Sequence, residues 1–284
     1  MRKVHFSAGG CEIAASVCGD AARPALALLP GWPHDKSLYD EVIDRLGARF
    51  FVLAFDLPGI GGSRGAPPSS EKTVLADLLL ACAEQAGARS IVVAGIDVGG
   101  MIAFAAARDH GARIAGAAVG NTVLPGLDPW KETLANPAIW HFAFHAVPDL
   151  PESLISGRED RYFEFFFDKL GNARKPLPQA MRAAFVDAYR RPEALKAGFD
   201  WYRTLAADAE RNAVARPIAT PTLYFRGDAD GRSSEPYLRG LRQAGARDLR
   251  ARTFAGTAEF TPLEAPDAFI EVIGDFAAAC AASG

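Results

Sequence analysis

Histidine is scarce in this 284-residue chain: there are five, and none lies beyond His145. Any chemistry built late in the chain must therefore run without imidazole. Cysteine is equally sparse. Cys11, Cys18, Cys82 and Cys280 form no C-x-x-C pair and no cluster with histidine at zinc spacing, which argues against a disulfide framework or a structural zinc. They read as reduced thiols. No apolar run reaches the ~20 residues of a membrane-spanning helix. The N-terminus leads into a polar Gly9-Gly10 pair rather than an apolar signal core. A formal net charge of −3 supplies no basic face for nucleic acid and no polybasic stretch for a membrane surface. These absences predict a cytoplasmic protein that binds neither nucleic acid nor membrane; whether it forms a homodimer is left open.

What is present is a large core. A hydrophobic fraction of 49% against 23% charged residues suits a globular chain of this length. Residues 4–17 alternate and break at Gly9-Gly10, predicting a hairpin. Apolar, β-branched or aromatic runs at 24–29, 50–55, 91–95, 114–119, 222–225 and 249–254 predict further strands. Helical spacing is read at 37–46, 72–85, 237–243 and 265–281. Strands alternating with helices imply βαβ units and a parallel sheet covered on both faces. From 125 to 216 no strand-like run occurs, and aromatic and charged residues dominate instead. We expect an α/β core from 1–124 and 217–284, with a helical cap inserted at 125–216.

The chain is organised around residues 90–104. A buried strand crosses Gly95-Ile96-Asp97-Val98-Gly99-Gly100 and continues into an Ala-rich helix. So short a turn strains its central residue and throws the side chain outward, while the glycines let strand and helix approach. Such a nucleophile elbow puts Asp97 above the carboxyl end of the sheet.

Four stretches together carry a family resemblance. They are Gly31-Trp32-Pro33 after the third strand, Asp56-x-Pro58-Gly59-x-Gly61-x-Ser63, the elbow itself, and Thr261-Pro262-Leu263-Glu264-Ala265-Pro266. With Trp140-His141-Phe142 and the segment around Pro148–Tyr162, they make the chain resemble the α/β-hydrolase fold over nearly its whole length. The similarity is to the branch of epoxide hydrolases and haloalkane or haloacetate dehalogenases with an aspartate nucleophile. The resemblance implies that Asp97 attacks a saturated carbon and forms an ester, which activated water then hydrolyses. It implies backbone N–H groups of Trp32 and Val98 as the oxyanion hole, and Tyr202 and His141 as donors to an epoxide oxygen. Trp140, Phe142 and Trp201 would line a site for a hydrophobic small molecule, and no cofactor or metal is expected.

The family's catalytic histidine falls on Glu259, and Pro30 stands where a histidine often precedes the oxyanion glycine. The supporting acid falls on Asn121 after one strand or on Asp230, in Gly227-Asp228-Ala229-Asp230, after the next. Carboxylates close together raise one another's pKa, so a cluster of Asp97, Glu259 and Asp230 is expected to share a proton. Glu259 then serves as a base for water, as an acid, or not at all. His34 offers a substitute base. Dehalogenation ranks lower, because Val98 stands where relatives place a halide-binding Trp or Arg. Two further readings stay open: non-hydrolytic cyclisation or rearrangement of a bulky substrate, and a turnover-deficient ligand receptor.

Overall fold

The computed structural model describes residues 1–283. Its strands are β1 (Arg2–Ala8), β2 (Cys11–Cys18), β3 (Ala25–Leu29), β4 (Phe51–Phe55), β5 (Ile91–Ile96), β6 (Ile114–Gly120), β7 (Thr222–Gly227) and β8 (Leu249–Phe254). They make one sheet in the order β1-β2-β4-β3-β5-β6-β7-β8. β2 pairs antiparallel with β1 and β4, and all other pairings are parallel. Every residue of β3, β4, β5 and β7 is buried. Strands covered on both faces have no polar side to alternate with, which is why they read as unbroken apolar runs. The edge strands β1 and β8 instead alternate exposed with shielded positions.

The helix expected at 37–46 is broken in two. Lys36–Tyr39 forms a 3₁₀ turn capped by the Asp35 carboxylate, and an α-helix begins only at Ile43. Tertiary anchors override the spacing. The Lys36 ammonium meets Asp56 Oδ2 at 2.5 Å, and the Tyr39 hydroxyl donates to Leu29 O at 2.7 Å. The Asp56–Ser63 motif fixes the chain after β4 in the same manner: Gly62 N–H donates to Asp56 Oδ2, and the Ser63 hydroxyl donates to Asp56 O.

Between β6 and β7 the described chain contains helical elements and no strand, running from Trp130–Ala135 to Leu205–Ala213. Two of these helices, Glu159–Leu170 and Pro192–Arg203, bury one stripe each, including Phe163, Phe166 and Phe167 on the first and Leu195, Phe199 and Tyr202 on the second. A buried ion pair ties them to the sheet's own helices. Lys72 Nζ lies 2.8 Å from Asp208 Oδ2 and also donates to Trp201 O and Thr204 Oγ1. None of the described helices is long and apolar enough to cross a membrane.

Candidate active site

Asp97 joins β5 to the helix Val98–Asp109 with φ 53° and ψ −122°. A residue with a Cβ adopts that conformation only where its surroundings force it. They do so here through close backbone approach. A Cβ on Gly95 would strike Gly99 O, and one on Gly99 would strike Leu29 O. Gly31 makes the same kind of room on the opposing loop, since its Cβ would fall 2.5 Å from Asp97 Cβ. That loop delivers the Trp32 N–H, which donates to Asp97 Oδ2 at 2.7 Å. The Val98 N–H also favours the charged form of that carboxylate. Burial still pushes the Asp97 carboxyl up to about 6, against these two amides and the field of the Lys72 ammonium.

A cavity of ≈ 790 Å³ opens over Asp97, and Glu259 lies on its wall. Glu259 belongs to the loop between β8 and the turn Thr261–Glu264, held by its backbone on three sides. Asn121 Nδ2 donates to the carbonyls of Ala258 and Glu259, at 3.2 and 2.8 Å, and to Thr261 Oγ1. The Glu264 carboxylate accepts from Ala258 N–H and Phe260 N–H. Glu259 N–H donates to Leu170 O, on the inserted helices. The side chain is treated differently: Glu259 Oε1 is buried with no hydrogen-bond partner among the described residues. Burial raises its pKa well above the carboxylate range, the charges of Asp97, Glu264 and Asp230 raise it further, and Arg226 opposes them. Asp97, which accepts a backbone N–H, is the better placed of the two to carry charge, and Glu259, whose Oε1 has no donor, to carry a proton.

The opposite wall is aromatic. Tyr202, His141 and Phe142 line the cavity together with Trp32. The His141 ring stacks on Trp32 with centroids 6.0 Å apart, and Tyr202 packs edge-on against Phe142 at 5.2 Å. Desolvation lowers the His141 pKa to about 3, so its imidazole is neutral, and it keeps the Tyr202 phenol protonated.

Other residues singled out from the sequence lie elsewhere. Trp140 is 43% exposed and turns outward, packing on Phe144 and Phe165. Trp201 is buried away from the cavity, and its carbonyl accepts from Lys72. His34 is fully buried against Phe185 and Phe260, with burial lowering its pKa to about 3, and it does not line the cavity. Asp230 does line the cavity, but its carboxylate is taken by Arg226 at 2.5 Å, and no hydrogen bond joins it to Glu259.

Two residues that position the site escaped the sequence reading in this role. In the sequence Asn121 is only the place of a missing acid, yet its amide is the brace of the Glu259 loop. Its φ of 44° and its place at the end of a buried strand are the features that set it apart. Glu264 stands in the sequence only as part of a motif, whereas its carboxylate closes the turn.

The sheet that carries this elbow belongs to a known fold family. The family model of the alpha/beta hydrolase fold matches residues 24–266, and the chain is a member of that family. Its relatives include hydrolases of more than one kind. It is 27% identical over 259 residues to the soluble epoxide hydrolase of Corynebacterium sp. (strain C12), covering 87% of each chain. It is 26% identical over 258 residues to the pimeloyl-(acyl-carrier protein) methyl ester esterase of Nitrosospira multiformis, covering 89% of this chain and 94% of the relative. Among solved structures, Cfl2 from Burkholderia cenocepacia superposes with a TM-score of 0.84 at 25% identity, over 96% of this chain and 95% of that one.

Proposed function

We propose that the protein is an epoxide-hydrolase-like enzyme whose Asp97 opens an epoxide, or another electrophilic saturated carbon, by forming a covalent ester. The observation that carries this reading is the state of the Asp97 carboxylate. Oδ2 is held by the Trp32 N–H while the strained turn presents the side chain to a cavity. Oδ1 is then the attacking oxygen. After ester formation Oδ2 becomes the ester carbonyl oxygen, already held by the Trp32 N–H, which with the Val98 N–H stabilises the tetrahedral intermediate of hydrolysis. Glu259 stands in for imidazole as the base that activates water. Tyr202 and His141, on the inserted helices acting as a cap, donate hydrogen bonds to the ring oxygen. The aromatic wall suits a hydrophobic small molecule.

The relationship to an epoxide hydrolase agrees with this reading, and that to an esterase agrees with hydrolysis of an ester in the second step. Incubation with a panel of epoxides, followed by intact-protein mass and product analysis, tests it. A transient or persistent adduct on Asp97 together with diol is the expected result. Absence of both across the panel would overturn it. A second reading draws on the protonated state of Glu259: an acid facing a carboxylate would also promote cyclisation or rearrangement. Product of unchanged mass would mark that chemistry, because hydrolysis adds water.

A further inference from the structure

We infer that Glu259 is the acid of the ring-opening step as well as the base of the hydrolytic step, one proton passing from it to the substrate and returning from water in each turnover. The inference rests on the proposed role of Asp97 as nucleophile.

The geometry that supports it is the asymmetry of the two carboxyls on one cavity. Asp97 accepts the Trp32 N–H, and the Val98 N–H and the Lys72 ammonium favour its charged form. The Glu259 backbone is fixed at both neighbouring peptides, but its Oε1 is buried without a donor. A carboxyl so placed is stable only while it carries a proton. The charged groups around it agree: Asp97 from the elbow, Glu264 from its own turn and Asp230 from the loop after β7 all disfavour its ionisation, and only Arg226 favours it. Lys169 and His141 from the inserted helices also line the cavity. Their pKa values are lowered by burial, as is expected where a positive charge is poorly solvated.

Ring opening needs a net proton, and the other candidates are poor sources. The Tyr202 phenol is held far above its ordinary pKa, and the His141 imidazole is neutral. Both can hydrogen-bond the ring oxygen, but neither readily gives up a proton. Glu259 does. Asp97 Oδ1 forms a bond to the epoxide carbon as that carbon's bond to the ring oxygen breaks, and the ring oxygen takes the Glu259 proton. The products are a neutral hydroxyalkyl ester and a Glu259 carboxylate. The repulsion from Asp97 vanishes at that moment, so the carboxylate is tolerated when a base is needed. Glu259 then takes a proton from water as hydroxide adds to Asp97 Cγ. Collapse of the adduct expels the alkoxide, which takes the proton of the re-formed Asp97 carboxyl. The diol leaves, with Asp97 ionised and Glu259 protonated as at the start. One carboxyl alternating between acid and base is established chemistry in retaining glycosidases.

The test is the rate of adduct formation, by quenched-flow and intact mass, as a function of pH in the wild type and in Glu259→Gln. We expect the wild-type rate to rise as Asp97 ionises, near pH 6, and to fall again at higher pH as Glu259 loses its proton. Glu259→Gln is expected to slow adduct formation by about 10²-fold and to leave the adduct unhydrolysed. A wild-type rate that stays level above pH 6, with adduct forming at an unchanged rate in Glu259→Gln, would overturn the inference while leaving Asp97 the nucleophile. If the wild type yields neither adduct nor diol with any epoxide, the role of Asp97 fails and the inference with it.

Discussion

At the scale of single residues, the proposed chemistry rests on two carboxyls made unequal by their hydrogen bonds. Asp97→Asn keeps the side chain's shape but removes the proposed nucleophile, and should lower diol formation by about three orders of magnitude or more. Steady-state assays with a reactive epoxide check this; activity within tenfold of wild type would contradict it. Tyr202→Phe removes the hydroxyl on the aromatic wall. It should slow adduct formation by about 10²-fold and affect hydrolysis of the adduct less, a split visible in single-turnover mass kinetics. Asp97 could be read from the sequence because a residue forced into its conformation needs glycine around it, and Gly95, Gly99 and Gly100 stand in the text of the chain. The facing position of Glu259 followed from the motif downstream. Its lack of a partner did not, because the Arg226 guanidinium is paired with Asp230 instead, a choice between acidic neighbours that spacing does not encode. Trp140 and Trp201 were misplaced for a similar reason: an aromatic on an amphipathic helix serves cavity, core or surface equally well until packing assigns its face.

At the scale of elements, the decisive structure is the loop that carries Glu259. Asn121 reaches it from the end of β6, donating to two of its carbonyls, while its own Oδ1 accepts from Gly227 N–H. Asn121→Ala should cost about 1–3 kcal/mol in urea unfolding. It should also lower kcat, because Glu259 would no longer be held at the cavity wall. Unchanged kcat in a variant of reduced stability would show that the brace serves folding alone. The strands were legible because burial on both faces turns them into apolar runs. The segment 37–46 was not, since Lys36 and Tyr39 are pulled to Asp56 and Leu29, residues remote in sequence or on another strand.

At the scale of the whole molecule, the inserted helices and the sheet are joined by charge as well as by apolar packing. Lys72→Met would strand the buried Asp208 carboxylate and should destabilise the protein by about 3–5 kcal/mol, whereas replacing both partners with apolar residues should recover much of that loss. Equal losses in single and double variants would contradict this. The site also sets a pH dependence. A carboxyl whose pKa is raised on folding contributes its full stability below the unfolded value, about 4.3 for Glu, and loses it as pH rises through the folded value. Glu259→Gln should therefore raise the melting temperature relative to wild type, and the gap should widen from pH 5 to pH 8. A constant gap would mean that Glu259 is not held protonated by the fold. The central claim, that Asp97 forms and loses an ester in each turnover, is tested most directly by turnover in heavy-oxygen water followed by the mass of the Asp97 peptide. Because hydroxide adds to Asp97 Cγ, the label should enter the Asp97 carboxylate and reach the diol only in later turnovers. Label in the diol from the first turnover, with Asp97 unlabelled, would mean that water attacks the substrate itself.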